Sequence, residues 1–158
     1  MFDFSFLPEL IIPNLAVNSK EEAITYLSKL LEDSRLVERN YKNDVLSREK
    51  EFSTGLPVKN GAIAIPHAKS THVFNNGVAV GTLKKSVYFN SMEDSNLEIP
   101  VDLVMLLAIS ESDKQLKMLQ AIMSLLSNEK IIETLKNKKD SEDIAKLLNS
   151  YLVTQNNL

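Results

Sequence analysis

The chain has 158 residues, 44% of them hydrophobic and 25% charged, with a formal net charge of −3. That is a common size for one globular domain with a core of its own, and the composition excludes wholesale disorder. It has no cysteine and no tryptophan. Disulfides, thiolate nucleophiles and Cys-based metal sites are therefore excluded, and no basic block interleaved with aromatics marks a nucleic-acid face.

The N-terminal stretch is apolar, but Asp3, Pro8, Glu9 and Pro13 interrupt it and no basic region precedes it, so it is not a signal peptide. Ser19-Lys20-Glu21-Glu22 is a capping-box pattern that opens a helix to about residue 36, with Ala23, Ile24, Leu27, Leu30 and Leu31 on one stripe. A second helix is predicted from Tyr41 to Phe52, and the Gly- and Pro-punctuated stretch Phe52 to Gly61 reads as a loop. Ala62 to Ile65 is a short buried strand, stopped by Pro66 and followed at once by His67. Gly77 to Leu83 and Val87 to Phe89 read as two strands of a hairpin turning at Lys84-Lys85-Ser86. Val101 to Ile109 reads as a strand covered on both faces. It contains Asp102 and is far too short to span a bilayer.

Three helices complete the chain. The first, about Asp113 to Ser127, is expected to turn Leu116, Leu119, Ile122, Met123 and Leu126 inward. The others run near Glu129 to Asn137 and near Asp140 to Tyr151, and residues 154–158 read as a frayed tail. Helices first, strands in the middle and helices last give an α/β class. The expectation is one domain over residues 1–158, with a single central mixed β-sheet covered by helices on both sides. The protein is expected to be soluble and cytoplasmic.

The two histidines lie close together in Pro66-His67-Ala68-Lys69-Ser70-Thr71-His72. His67 follows a buried strand, where α/β folds present functional groups, and Pro66 stiffens its approach. A neutral imidazole can serve as base, ligand or nucleophile. It can equally be a polar residue satisfying a hydrogen bond. A His67/His72 metal pair is a weak pattern, because no carboxylate accompanies it at ligand spacing.

Upstream, Arg48-Glu49 is followed by Phe52-Ser53-Thr54-Gly55-Leu56-Pro57 and then by Ile65-Pro66-His67. In order and spacing this resembles the IIA components of the bacterial phosphoenolpyruvate-dependent sugar phosphotransferase system, fructose/mannitol superfamily. The resemblance extends over nearly the whole chain. Ser53 stands where the family usually has proline. Gln115 stands where many members carry a second active-site histidine. That replacement, the Thr-Gly-Leu-Pro run and His72 are similar to the galactitol-type branch.

The resemblance implies a phosphotransferase component without cofactor or metal. His67 would accept a phosphoryl group from the phosphohistidine of the carrier HPr and pass it to a cysteine of a IIB component. Through IIB it would serve a membrane IIC component that imports a sugar or polyol. Arg48 would stabilise charge on the phosphoryl oxygens, since guanidinium offers a planar fork of donors. Its alternative is a solvated helix arginine paired with Glu51 or Asp44. Thr54 and the backbone near Gly55 would either donate to phosphoryl oxygens or hold the turn. Gln115 can orient the ring or the phosphate but carries no charge, and His72 is a further support candidate. The expected phosphorylation atom is Nε2, with Nδ1 held by the backbone. Leu56, Pro57 and Phe74 are candidates for an apolar docking rim around His67.

Three other readings stand beside this one. A regulatory phosphoprotein of the same fold would signal through His67. A metal- or ligand-binding module would use His67 and His72. A non-catalytic domain of a larger transcription regulator is the third, and Met1 and the complete helical end weigh against it.

Overall fold

The structure, a computed structural model, describes residues 5–69, 71–110 and 112–156, with side chains described for all of these except 112–115 and 153–156. A single 3-10 turn, Pro8–Leu10, leads into β1 (Ile11–Leu15). Helices α1 (Lys20–Asp33) and α2 (Tyr41–Glu51) follow, then β2 (Gly55–Val58), β3 (Gly61–Ala64), β4 (Gly77–Asn90) and β5 (Glu98–Ala108). Helices α3 (Ser112–Leu126), α4 (Ile131–Lys136) and α5 (Ser141–Asn156) end the chain.

The five strands form one mixed sheet in the order β1-β4-β5-β3-β2. β1 runs parallel to β4 and β3 parallel to β5, whereas β4/β5 and β2/β3 are antiparallel. The central strands are buried on both faces, and their side chains divide by the period of two. Ala62 and Ala64 of β3, with Val104, Leu106 and Ala108 of β5, pack against α1 and α2. Ile63 and Ile65, with Leu103, Met105 and Leu107, pack against α3, α4 and α5. The α/β class and the helices on both sides are thus as expected.

The predicted N-cap is present, since Ser19 Oγ accepts from Glu22 N at 3.1 Å, but Glu22 Oε2 reaches past the cap to accept from Asn18 N at 2.7 Å, so the reciprocal half of the capping box is shifted by one residue. Several local expectations are corrected. β1 lies in the N-terminal apolar stretch, where two prolines hide a five-residue strand. The stretch read as a loop contains β2, which pairs with β3 through a tight turn at Lys59-Asn60, Asn60 having φ 69°. The expected hairpin at Lys84-Lys85-Ser86 is instead one long strand. Thr82 pairs with Leu103 and Val87 with Val101, so β4 uses more residues than β5 between the same two rungs. The surplus Lys84, Lys85 and Ser86 bulge into solvent. On α3 the inward stripe is Met118, Ala121, Ile122, Leu125 and Leu126, while Leu116 and Met123 are exposed. Helix α5 carries residues 154–156 of the expected frayed tail, and 157 and 158 lie outside the described residues.

Gly55 is needed where it stands. A Cβ there would come within 2.6 Å of the Asn90 carbonyl oxygen. The bare backbone lets β2 close against the end of β4, and Met92 N donates to Gly55 O at 2.7 Å. The Ser91–Met92 segment is thereby brought beside the turn that follows α2.

Candidate active site

His67 sits where the chain leaves β3 and is zipped onto β5. Leu107 N donates to Pro66 O at 3.0 Å, and His67 forms a parallel bridge with Leu107. On the other side of the loop, the buried Tyr41 hydroxyl donates to Leu107 O at 2.5 Å and accepts from Ala68 N at 3.3 Å. Burial pushes the Tyr41 hydroxyl far above its ordinary pKa, so it remains a neutral donor. The backbone on both flanks of His67 is therefore held by β5 and α2 together.

The ring is held as well. His67 Nδ1 lies 2.8 Å from the carbonyl oxygen of Ile65. A carbonyl only accepts, so Nδ1 carries the proton and Nε2 keeps its lone pair. Partial burial pulls the pKa of His67 below its ordinary value, and the nearby Arg48 charge adds to this against the opposing pull of the Ile65 bond. The neutral ring is thus favoured, and in that form the Ile65 bond selects the tautomer that leaves Nε2 unprotonated.

His67 lines a cleft of about 380 Å³ together with Arg48, Phe52, Thr54, Ser91 and Met92. Arg48 projects from the last turn of α2 and makes no ion pair with Glu51 or Asp44 among the described residues. Its guanidinium lies over the Phe52 ring, 4.7 Å from the centroid. Stacking of this kind orients the planar fork while leaving its N–H edges to solvent or a ligand.

Thr54 is 4% exposed. Its hydroxyl donates to Glu49 Oε1 at 2.6 Å and its backbone N–H to Glu49 Oε2 at 2.8 Å. Both of its protons are therefore committed, which favours the turn-holding role over donation to a ligand. Glu49 itself is buried, and burial raises its pKa although the two Thr54 bonds oppose the rise.

His72 belongs to an adjoining cleft of about 430 Å³, which shares Arg48 and Glu51 with the first. Its Nδ1 lies 2.6 Å from Asp44 Oδ2 and its Nε2 3.6 Å from Glu38 Oε2. The Asp44 hydrogen bond raises its pKa. Arg48, Thr54 and His67 thus share one cleft, His72 faces carboxylates in the next, and the side chain of Gln115 lies outside the described residues. Among the described residues no group of three or more potential ligands could hold a metal ion.

The apolar rim differs from expectation. Leu56 is partly buried against the α3–α5 core, and neither Pro57 nor Phe74 lines the cleft of His67. Phe52, 55% exposed, and Met92, 43% exposed, do. Sequence reading also missed Tyr41 and Glu49 as supports. The available signal for Glu49 was an acid five residues before the Thr-Gly turn.

A family model described as "Phosphoenolpyruvate-dependent sugar phosphotransferase system, EIIA 2" matches residues 5–151. The chain belongs to that family. Among the relatives of this IIA protein is the galactitol-specific EIIA component of Escherichia coli (strain K12), 28% identical over 116 residues that cover 73% of this chain and 77% of the relative. Another is the nitrogen regulatory protein of Bradyrhizobium diazoefficiens, 33% identical over 144 residues, 89% of this chain and 90% of that one. The fold matches enzyme IIA-mannitol in its complex with phosphorylated enzyme IIB-mannitol from Escherichia coli, at a TM-score of 0.77 and 25% identity. That match covers 94% of this chain and 98% of the other. As a IIA component the protein is a phosphotransferase relay. Among the described residues no helix is long and apolar enough to cross a membrane.

Proposed function

We propose that this IIA protein carries a phosphoryl group on Nε2 of His67, taking it from the phosphohistidine of HPr and giving it to a cysteine of a IIB component in sugar or polyol uptake. One observation carries the reading. The Nδ1–H···O=C bond to Ile65 leaves the Nε2 lone pair free in a cleft that Arg48 also lines, an arginine with no ion pair to Glu51 or Asp44 among the described residues.

In the first step the lone pair attacks phosphorus, the N–P bond in HPr breaks, and an N–P bond to His67 forms. The ring becomes cationic as it is phosphorylated, and the Ile65 carbonyl sits against the Nδ1–H that shares this charge. In the second step a thiolate attacks phosphorus, and the His67 N–P bond breaks to restore the neutral ring. The loose transition state places charge on the equatorial oxygens, and Arg48 offers donors for them. Thr54 supports the site by holding the turn, and Phe52 and Met92 give partners an apolar rim. The work is cytoplasmic, and no metal takes part.

The Thr54-Gly55-Leu56-Pro57 run and the galactitol-specific relative support the galactitol-type branch. The nitrogen regulatory relative supports a second reading, in which the same phosphohistidine switches a binding partner. Mass spectrometry after incubation with phosphoenolpyruvate, enzyme I and HPr tests the carrier role. The expected result is one acid-labile phosphoryl group, lost in His67→Ala and kept in His72→Ala. No gain in the native protein, with a control IIA labelled in the same tube, overturns it. Transfer onward to IIB separates transport from regulation. A ³¹P–¹⁵N coupling to Nδ1 instead of Nε2 would refute the assigned atom.

A further inference from the structure

A buried acid in α2 has no place in the phosphoryl chemistry. Glu49 is 4% exposed, next to Arg48 in sequence, and does not itself line the cleft that Arg48 and Thr54 line. Both its oxygens are used. Oε2 accepts from Thr54 N at 2.8 Å and Oε1 from Thr54 Oγ1 at 2.6 Å. Burying a carboxylate is costly unless it is fully hydrogen-bonded, so the pair holds its geometry tightly.

The clasp has a continuation. Thr54 O accepts from Ile65 N at 3.4 Å, and Ile65 O is the acceptor for His67 Nδ1–H at 2.8 Å. We infer that Glu49 is a positioning residue for His67, acting through Thr54 and Ile65 to aim the carbonyl that selects the Nδ1–H tautomer. The same clasp joins the end of α2, and so Arg48, to the start of β2. The distance between the arginine and the imidazole is thereby set from one point.

The contribution to transfer rests on His67 being the phosphoryl acceptor, whereas the effect on the ring does not. The test therefore reads both. Ring ¹⁵N chemical shifts report the tautomer in the unphosphorylated protein, and quench-flow with phospho-HPr reports the rate of acceptance. In Glu49→Ala the Thr54 N–H and hydroxyl lose their acceptor. We expect His67 to become a mixture of tautomers and the rate to fall about tenfold. Glu49→Gln restores an acceptor for the N–H, and its amide can donate to a Thr54 hydroxyl turned the other way. It should recover the native tautomer and come within about threefold of the native rate. Thr54→Val keeps the N–H bond alone, serves where Glu49→Ala does not fold, and should fall between the two.

Unchanged ring shifts and an unchanged rate, in whichever of Glu49→Ala and Thr54→Val folds, overturn the inference. A native protein that never accepts phosphoryl, but whose ring shifts move in Glu49→Ala, overturns the carrier reading and leaves the positioning intact.

Discussion

His67 and His72 stand five residues apart on one loop, yet their surroundings push them in opposite directions. His67 is partly buried and has the Arg48 cation nearby, so its pKa falls and the neutral form is favoured, although the Nδ1–H bond to the Ile65 carbonyl pulls the other way. His72 meets Asp44 and Glu38, so its pKa rises and the protonated form is favoured. The charge state a histidine favours is thus set by what its nitrogens touch, not by its position in a motif. Arg48 and Glu51 line both clefts and divide the two regions.

The largest expected effect comes from that boundary. Arg48→Ala should slow phosphoryl acceptance from phospho-HPr by roughly 100- to 1,000-fold, the range for losing one preorganised donor to a charged transition state. Arg48→Lys should recover part of it as a point charge without the fork. Rapid-quench rates measure both. If Arg48→Ala leaves the rate near native while shifting the titration of His72, Arg48 serves the second cleft and not the first.

A smaller effect should follow from Tyr41→Phe, which removes one hydroxyl and keeps the ring. The Leu107 carbonyl loses its donor and the Ala68 N–H its acceptor. We expect about 1–3 kcal/mol of lost stability by denaturant unfolding. Hydrogen exchange should rise at Ala68 more than in α1. Uniform protection would mean that β5 alone holds the segment between the two histidines.

Least in energy but sharpest in contrast is pH. By NMR the midpoint of His67 should lie below the ordinary value of about 6.5 and that of His72 above it. The signs differ in linkage too. What His72 contributes to stability is fully present below about 6.5 and is lost as pH rises through its raised folded value. What the neutral His67 contributes is present above about 6.5 and is lost as pH falls through its lowered folded value. Asp44→Asn should bring the His72 midpoint down and leave that of His67 unmoved. Parallel movement of both would show that the two regions are one electrostatic site.

Much of this was legible in the residues, and the exceptions have physical causes. The N-cap at Ser19, the strand before His67 and the doubly covered Val101 to Ile109 segment are local patterns, and they appear as read. β1 and β2 were missed because strands of five and four residues containing Pro13 and Pro57 carry little alternation. The long β4 looked like a hairpin because a polar bulge and a turn have the same composition. Leu116 and Met123 were placed inward because several apolar stripes fit α3, and only packing against α5 selects one. In the site, motif residues could be named but not their neighbours. The Glu49–Thr54 clasp, the Tyr41 bridge and the arrival of Met92 beside His67 depend on contacts between separate elements.

The two outer strands, β1 and β2, have a bearing on how the protein behaves in a crowded solution. An unpaired strand is a template on which another chain can grow, and long flat rims invite self-association. Here each rim is short, and each contains a proline that brings no N–H to a ladder. A relay protein built this way is thus guarded at both rims against sticking to its own copies.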